Sequence, residues 1–520
     1  MPSYYPVVYI RGYARSAANV EEAFNLPYYG FNLGSTQYRQ GLSAEPEMHI
    51  FESPVVRLMK DHGYTDAFGD FTDPQGNPME KTVPKAIWRQ TLWIFRYYDL
   101  ETEMFGGDRP TFPLYAARLL VFLNKVRLAC GNPAGFRVNL VAHSMGGLIS
   151  RCYLQGSGAK VFKDAVTEVK KEGAKEEHLK TVTVNKLFTY GTPHGGIAFR
   201  QTLAPVNWVR EITGAFREDQ FTPAYMRTYL GLAGNKDPRT YKPAGKHAPA
   251  LDRTFSLVGT NAMDYTVAGA QATVGAKSDG LVLTEKAHIH GGPRAYVDRA
   301  HSGPLGIVNS EEGYQNLQRF LFGNWRFQVR LRFGSVREDA PSANKNEKLT
   351  HLSVDVAVAL RGYAGYLDSR REQNMTAETI PMKKSRGAYV PVGERDPVLF
   401  TGYLFAGTDH AAYRAVEKDA HARWLLQLAI RPHYERRGLF SRSGFEGDVF
   451  FDGRIEFALA DKGADPPFGC RWQGAGVELT APKQLQGSKG KSVQYAIPLA
   501  AATDSYFKNV DLLVEVSPWE

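Results

Sequence analysis

The sequence predicts a mostly parallel sheet with helices on both faces, followed by an all-β, sandwich-like region. Three observations predict it. Strand-like apolar runs alternate with helically spaced runs through residues 1–324. From Trp325 onward the apolar period changes to two. Between a strand-like and a helix-like run stands VAHSMGGLIS, Val141–Ser150, a lone serine among small residues. Most turns use Asn, Asp or Pro, so glycine and alanine around one serine point to a turn with no room for side chains. The chain has 520 residues, more than one ordinary domain, and two domains are expected, 1–324 and 325–520.

The first region reads in order. Tyr5–Ile10 is a short β-rich run, and Thr91–Tyr98 (TLWIFRYY) is another. Leu114–Ala129 carries Leu119, Leu120, Phe122, Leu123 and Val126 at helical spacing. Phe136–Ala142 is a strand, the serine turn follows, and Gly147–Gln155 is a helix. The Lys170–Lys180 stretch interleaves Lys with Glu and reads as a solvated helix. Lys180–Tyr190 and Thr254–Gly259 are strands, and Ser310–Phe322 is a closing helix. Two long insertions interrupt this alternation. Residues 32–84 contain Gly, Pro and Asp clusters and a helix-like run near Ser53–His62. Residues 197–250 carry Trp208, Phe216, Phe221, Tyr225, Met226 and Tyr229. Insertions of that length are either covers over a site, such as a lid, or ordinary packed helical pairs.

In the second region WRFQVRLRF alternates strictly, with Trp325, Phe327, Val329, Leu331 and Phe333 on one face. Further strand-like runs follow at Leu352–Leu360, Val398–Phe405, Trp424–Ile430, Asp448–Leu459, Val493–Ile497 and Val510–Val516. Polar, Gly-rich stretches separate them, the pattern of a β-sandwich.

Composition narrows the class. Hydrophobic residues at 43% and charged residues at 22% are those of an ordinary globular chain. The formal net charge of +9 is mild over this length and contains no run of five basic residues, so no nucleic-acid partner is expected. It suits association with an anionic membrane surface. Cys130, Cys152 and Cys470 are the three cysteines, with no CxxC pair, and read as reduced structural thiols rather than a disulfide framework or zinc site. No metal or cofactor is expected. MPSYYPVVYIRGYARS has neither a basic n-region nor a long apolar h-region. The expected location is cytoplasmic, or reached by export without a cleavable signal peptide. Nothing in the sequence fixes an oligomeric state.

The turn Ala142-His143-Ser144-Met145-Gly146-Gly147 has small residues two before and two after the serine. A strained strand-to-helix elbow needs both, because backbone and helix crowd there. Ser144 is therefore the candidate nucleophile. A serine hydroxyl needs a base to take its proton, and the base needs an acid to hold its tautomer. Downstream, Ser278-Asp279-Gly280-Leu281-Val282 places an acid in a turn, and Ala300-His301-Ser302-Gly303 places a histidine in a loop before the closing helix. Asp279 is preferred over Asp264 and Asp298, and His301 over the His288/His290 pair and then His194. His143 is adjacent to the serine, so its backbone directs it elsewhere. An oxyanion requires two N–H donors. Met145, after the nucleophile, supplies one. The loop Arg11-Gly12-Tyr13-Ala14-Arg15-Ser16 supplies the other at Tyr13, unless it is a simple turn.

AHSMGG (142–147), TYGTPHGG (189–196), SDGLV (278–282) and the histidine of AHSG (300–303) together resemble lipase-type α/β hydrolases, most closely bacterial lipases and the inositol-deacylase-like branch. The resemblance covers about residues 1–324. It implies an α/β-hydrolase fold for that region, to which the C-terminal all-β sandwich-like domain read from its two-residue period is appended. It also implies nucleophile Ser144, acid Asp279, base His301, and oxyanion donors Tyr13 and Met145. TYGTPHGG becomes a site-wall segment, which demotes His194. Arg11-Gly12 stands where many relatives have His-Gly; a backbone donor does not need that histidine. The implied activity is carboxylic ester hydrolysis through an acyl-enzyme, with an ester or lipid substrate. Variants of this expectation are a small-ester esterase, an exported phospholipase effector, or a surface- or partner-binding protein led by the β-domain.

Overall fold

The computed structural model describes residues 3–12, 35–40, 46–51, 53–67, 82–95, 97, 110–197, 218–265, 277–303, 305–337, 347–361, 363, 365–372, 375–393, 396–405, 421–437, 442–460, 468–473, 482–487, 492–499 and 506–520. They form two compact units. One is built from Ser3–Arg294 and Asp298–Leu321, the other from Ala295–Val297 and Phe322–Glu520.

The first unit carries strands β1 (Val7–Ile10), the hairpin β2 (Ser35–Gln40) and β3 (Pro46–Phe51), β4 (Thr65–Asp66), β5 (Thr91–Phe95), β6 (Arg137–His143), β7 (Thr183–Tyr190) and β8 (Thr254–Gly259). All but the hairpin lie in one sheet, in the order β4-β5-β1-β6-β7-β8, and β9 spans Arg294–Val297. Pairing is parallel from β4 through β8. The order and direction are those of an α/β-hydrolase fold.

The core strands are apolar almost without break, as strands covered on both faces must be. The helices that cover them are α1 (Pro54–His62), α2 (Phe112–Ala129), α3 (Met145–Gly156), α4 (Lys160–Lys171), α5 (Pro223–Tyr229) and α6 (Glu311–Phe322). Side chains alternate faces along a strand. Val138, Leu140 and Ala142 of β6 and Leu187 of β7 join the core formed with α2 and α3. Phe188 of β7 points the other way, stacks 5.1 Å from Phe255 of β8, and meets Phe320 of α6. Helix ends follow local chemistry. Ser53 caps α1 by accepting from the Val55 N–H, Pro54 opens it, and Gly63 at φ +65° closes it.

Most expected elements match within a few residues. The basic-acidic stretch from Lys170 does not: α4 ends at Lys171, Gly173 takes φ +98°, and Glu176–Leu179 is a 3₁₀ turn. Charge interleaving fits any solvated segment, and the left-handed glycine ends the helix. Tyr98 of the expected run Thr91–Tyr98 lies outside the described residues.

Of the described residues of the second insertion, Phe221, Met226 and Tyr229 are core residues, and Tyr225 packs against that core half-buried. Phe221 and Tyr229 pack at 5.5 and 5.3 Å against Phe112 of α2, and Met226 is fully buried. They join the α2/α3 core rather than an open surface. Trp208 and Phe216 lie outside the described residues.

The second unit is a thirteen-stranded antiparallel sheet. It contains β10 (Trp325–Arg337), β11 (Glu347–Leu360), β12 (Tyr366–Arg370), β13 (Glu378–Ser385), β14 (Ala388–Pro391), β15 (Val398–Leu404), β16 (His421–Arg437), β17 (Arg442–Glu446), β18 (Phe451–Ala460), β19 (Phe468–Trp472), β20 (Lys483–Gly487), β21 (Val493–Pro498) and β22 (Phe507–Pro518). The sheet closes on its own apolar face. Phe327 of β10 meets Trp424 of β16 at 4.5 Å, and Phe468 of β19 meets Tyr495 of β21 at 4.7 Å. This is the sandwich-like packing the alternation predicts. Cys130, Cys152 and Cys470 are buried and in no disulfide, and burial raises each thiol, Cys130 to about 12 and Cys470 to about 11.

Candidate active site

The site begins at the C-terminal end of β6, a central strand, where ligand sites of open α/β sheets gather. Between β6 and α3 the chain turns within one residue. Ser144 carries the turn at φ +52°, ψ −122°, a conformation that side-chain-bearing residues avoid. Several contacts hold it there. The Ser144 N–H donates to the Tyr190 carbonyl at 2.9 Å, and the Ser144 carbonyl accepts from Thr192 Oγ1 at 2.9 Å and from the Gly147 N–H at 3.1 Å. The small neighbours are required. A Cβ on Gly146 would lie 2.4 Å from the Ile10 carbonyl oxygen, and one on Gly147 would lie 2.1 Å from Thr192 Oγ1.

Ser144 occupies the N-cap position of α3, yet its hydroxyl makes no capping bond. It lies 3.0 Å from His301 Nε2. On the other side of the ring, His301 Nδ1 is 2.8 Å from Asp279 Oδ2. Since a carboxylate only accepts, Nδ1 carries the proton and Nε2 accepts from Ser144. All three residues are buried, His301 at 2% and Asp279 at 0% exposure.

The acid is fixed by its own turn. Asp279 Oδ1 accepts from the N–H groups of Leu281 and Val282 at 3.0 and 2.8 Å. Its carbonyl accepts the His301 N–H at 2.8 Å. Gly280 at φ +98° and Gly259 permit this geometry, since a Cβ on Gly259 would lie 2.8 Å from Asp279 Cβ. Gly191, at φ +52°, leaves the space beside the Asp279–His301 contact, where its Cβ would lie 3.1 Å from both Asp279 Oδ2 and His301 Nδ1.

The competing residues go elsewhere. His194 is fully buried, with Nε2 3.1 Å from Thr189 Oγ1, and Arg151 donates to its carbonyl at 3.2 Å. Burial, with the Arg151 charge beside it, holds His194 well below the ordinary imidazole range. His288 is held down to about 3, chiefly by burial, and His290 lies 3.3 Å from Asp237. Asp264 caps its own loop through Asn261, and the Asp298 carbonyl accepts from Arg299. Met145 is the first residue of α3, so its N–H belongs to those with no intrahelical acceptor. Tyr13 lies outside the described residues.

Some contributors gave no sequence signal of their own. Thr192 and Gly191 stand in TYGTPHGG, but only the fold brings them behind Ser144 and beside Asp279. Tyr265 meets the His301 ring edge-on at 6.1 Å. Among the described residues no His, Cys, Asp and Glu cluster could hold a metal ion, and no helix is long and apolar enough to cross a membrane.

No protein-family model matches the chain, and no curated protein matches it. Solved structures show similarity at low identity. The mature form of lipase BlEst2 from Bacillus licheniformis is 14% identical over 62% of this chain and 92% of its own, with a TM-score of 0.29. Phospholipase PlaB from Legionella pneumophila is 13% identical over 85% of this chain and 90% of its own, with a TM-score of 0.30. The Tle1 effector bound to the VgrG spike of the type 6 secretion system is 10% identical over 80% of this chain and 74% of its own, with a TM-score of 0.24.

Proposed function

We propose that the chain is a serine ester hydrolase that works through an acyl-enzyme on Ser144. The observation that carries this reading is the unbroken chain from Ser144 Oγ through the His301 ring to Asp279, at 3.0 and 2.8 Å, on a buried strand–helix elbow. In the reaction Ser144 Oγ attacks the ester carbonyl while His301 Nε2 takes its proton. Asp279 keeps the Nδ1 tautomer and stabilises the imidazolium. The N–H groups of Met145 and Tyr13 are the proposed donors to the oxyanion. His301 then protonates the leaving alkoxide. Water repeats the cycle on the acyl-enzyme and releases the acid.

Lipid esters, phospholipids included, are the proposed substrate class. The order of AHSMGG, TYGTPHGG, SDGLV and AHSG, similar to the bacterial-lipase and inositol-deacylase-like branch, supports it. So does the net charge of +9, which favours an anionic lipid surface. The test is hydrolysis of p-nitrophenyl esters from butyrate to palmitate by wild type and Ser144→Ala. The variant is expected to lose at least about 10³-fold in kcat. Equal turnover by both proteins, or none by wild type, would sink the reading. Turnover confined to butyrate would redirect it to a small-ester esterase.

A further inference from the structure

The residue before the nucleophile has a partner that the proposed chemistry does not use. His143 Nε2 lies 3.0 Å from the backbone carbonyl of His301. A carbonyl oxygen only accepts, so Nε2 carries the proton and donates. The His301 N–H already donates to the Asp279 carbonyl at 2.8 Å. The peptide groups on both sides of the His301 Cα are therefore tied, one to the acid turn and one to the nucleophile elbow. The opposite side of the His143 ring faces the loop after β1. A Cβ on Gly12 would lie 2.7 Å from His143 Nδ1 and 3.1 Å from Ser144 Cβ. One imidazole thus spans the elbow, the β1 loop and the loop of the proposed base.

We infer that His143 is a positioning residue for the hydrolytic reaction, holding the His301 backbone at the distance from which its ring reaches Ser144. This rests on the reading of Ser144 and His301 as nucleophile and base. The side chain suits the task because it donates without charge. Its ring centroid is 5.0 Å from that of His301, so a cation there would oppose the imidazolium that forms as Ser144 gives up its proton. Burial, His301 and Arg11 all favour the neutral ring and outweigh the hydrogen bond to the His301 carbonyl, holding His143 down to about 3. Misplacing a reacting group by about 1 Å costs on the order of 100-fold in rate, so one backbone tether is sufficient to matter.

The experiment compares wild type, His143→Gln and His143→Leu on p-nitrophenyl butyrate, with melting curves for each. Gln places an amide N–H near the position of Nε2, whereas Leu fills the space without a donor. The expected result is a kcat about 30-fold or more lower for His143→Leu, with KM within about 3-fold, and recovery to within about 3-fold of wild-type kcat in His143→Gln. A His143→Leu variant as fast as wild type overturns the inference. So does a folded His143→Gln as slow as His143→Leu, or the failure of both to fold, which would make His143 a purely structural residue. If only His143→Leu fails to fold, a His143→Gln variant with near-wild-type kcat supports the donated bond, and a slow, folded one overturns it. An inactive wild type, or an active Ser144→Ala, would instead remove the hydrolase reading itself.

Discussion

Ser144 shows what the site costs and what sustains it. A side chain at φ +52° is disfavoured by roughly 1–3 kcal/mol, and the bonds from Thr192, Gly147 and to Tyr190 hold it there. The acid works in a different way. Asp279 meets His301 through one oxygen while its other oxygen is occupied by two backbone N–H groups. Asp279→Asn keeps the shape but presents an amide that lets the ring adopt the wrong tautomer. Its kcat is expected to fall about 10³- to 10⁴-fold with little change in KM. Steady-state kinetics on a p-nitrophenyl ester checks this, and a fall below tenfold would remove Asp279 from the proposed role.

At the scale of elements, the crossing of β1, β6 and α3 leaves no room for side chains. Gly146 faces the Ile10 and Arg11 carbonyls, where an added Cβ would come within 2.4 and 3.0 Å. Backbone atoms cannot swing aside as a flexible side chain does. Gly146→Ala is expected to lower stability by about 1–3 kcal/mol, read from urea midpoints, and to slow ester turnover. Ala142→Gly has no such conflict and is expected to cost about 1–2 kcal/mol, from backbone entropy and the loss of one buried methyl. The core strands and helices were legible because their apolar periods are long and unmixed. The hairpin β2–β3 and the strands β12 to β14, β17, β19 and β20 were not. They are short or half-exposed: Glu378–Ser385 buries only Ile380 and Met382, so its two-residue period barely rises above its flanks.

At the scale of the whole molecule, buried histidines set the response to acid. His143 and His288 are held down to about 3 and His194 well below its ordinary value, each chiefly by burial. The unfolded chain protonates these rings near pH 6.5, while the folded chain refuses the protons. Their contribution is therefore complete above about pH 6.5 and is lost as pH falls toward 3. Melting temperatures from pH 7.5 to 4.5 are expected to decline steadily, with a linkage of up to about three protons. A flat profile between pH 7 and 5 would contradict these environments.

Local chemistry alone was sufficient to write down the fold class, the elbow and the candidates Ser144, Asp279 and His301. Periodicity, small-residue turns and residue type are properties of neighbouring positions, and neighbouring positions are what a sequence displays. Tertiary structure decided the rest. It set which histidine meets Ser144 across 157 positions, buried Phe221 and Tyr229 in the core, and turned His143 onto the His301 carbonyl. Such contacts depend on where parallel strands end in space. Residues brought together by a sheet edge carry no mark of one another along the chain.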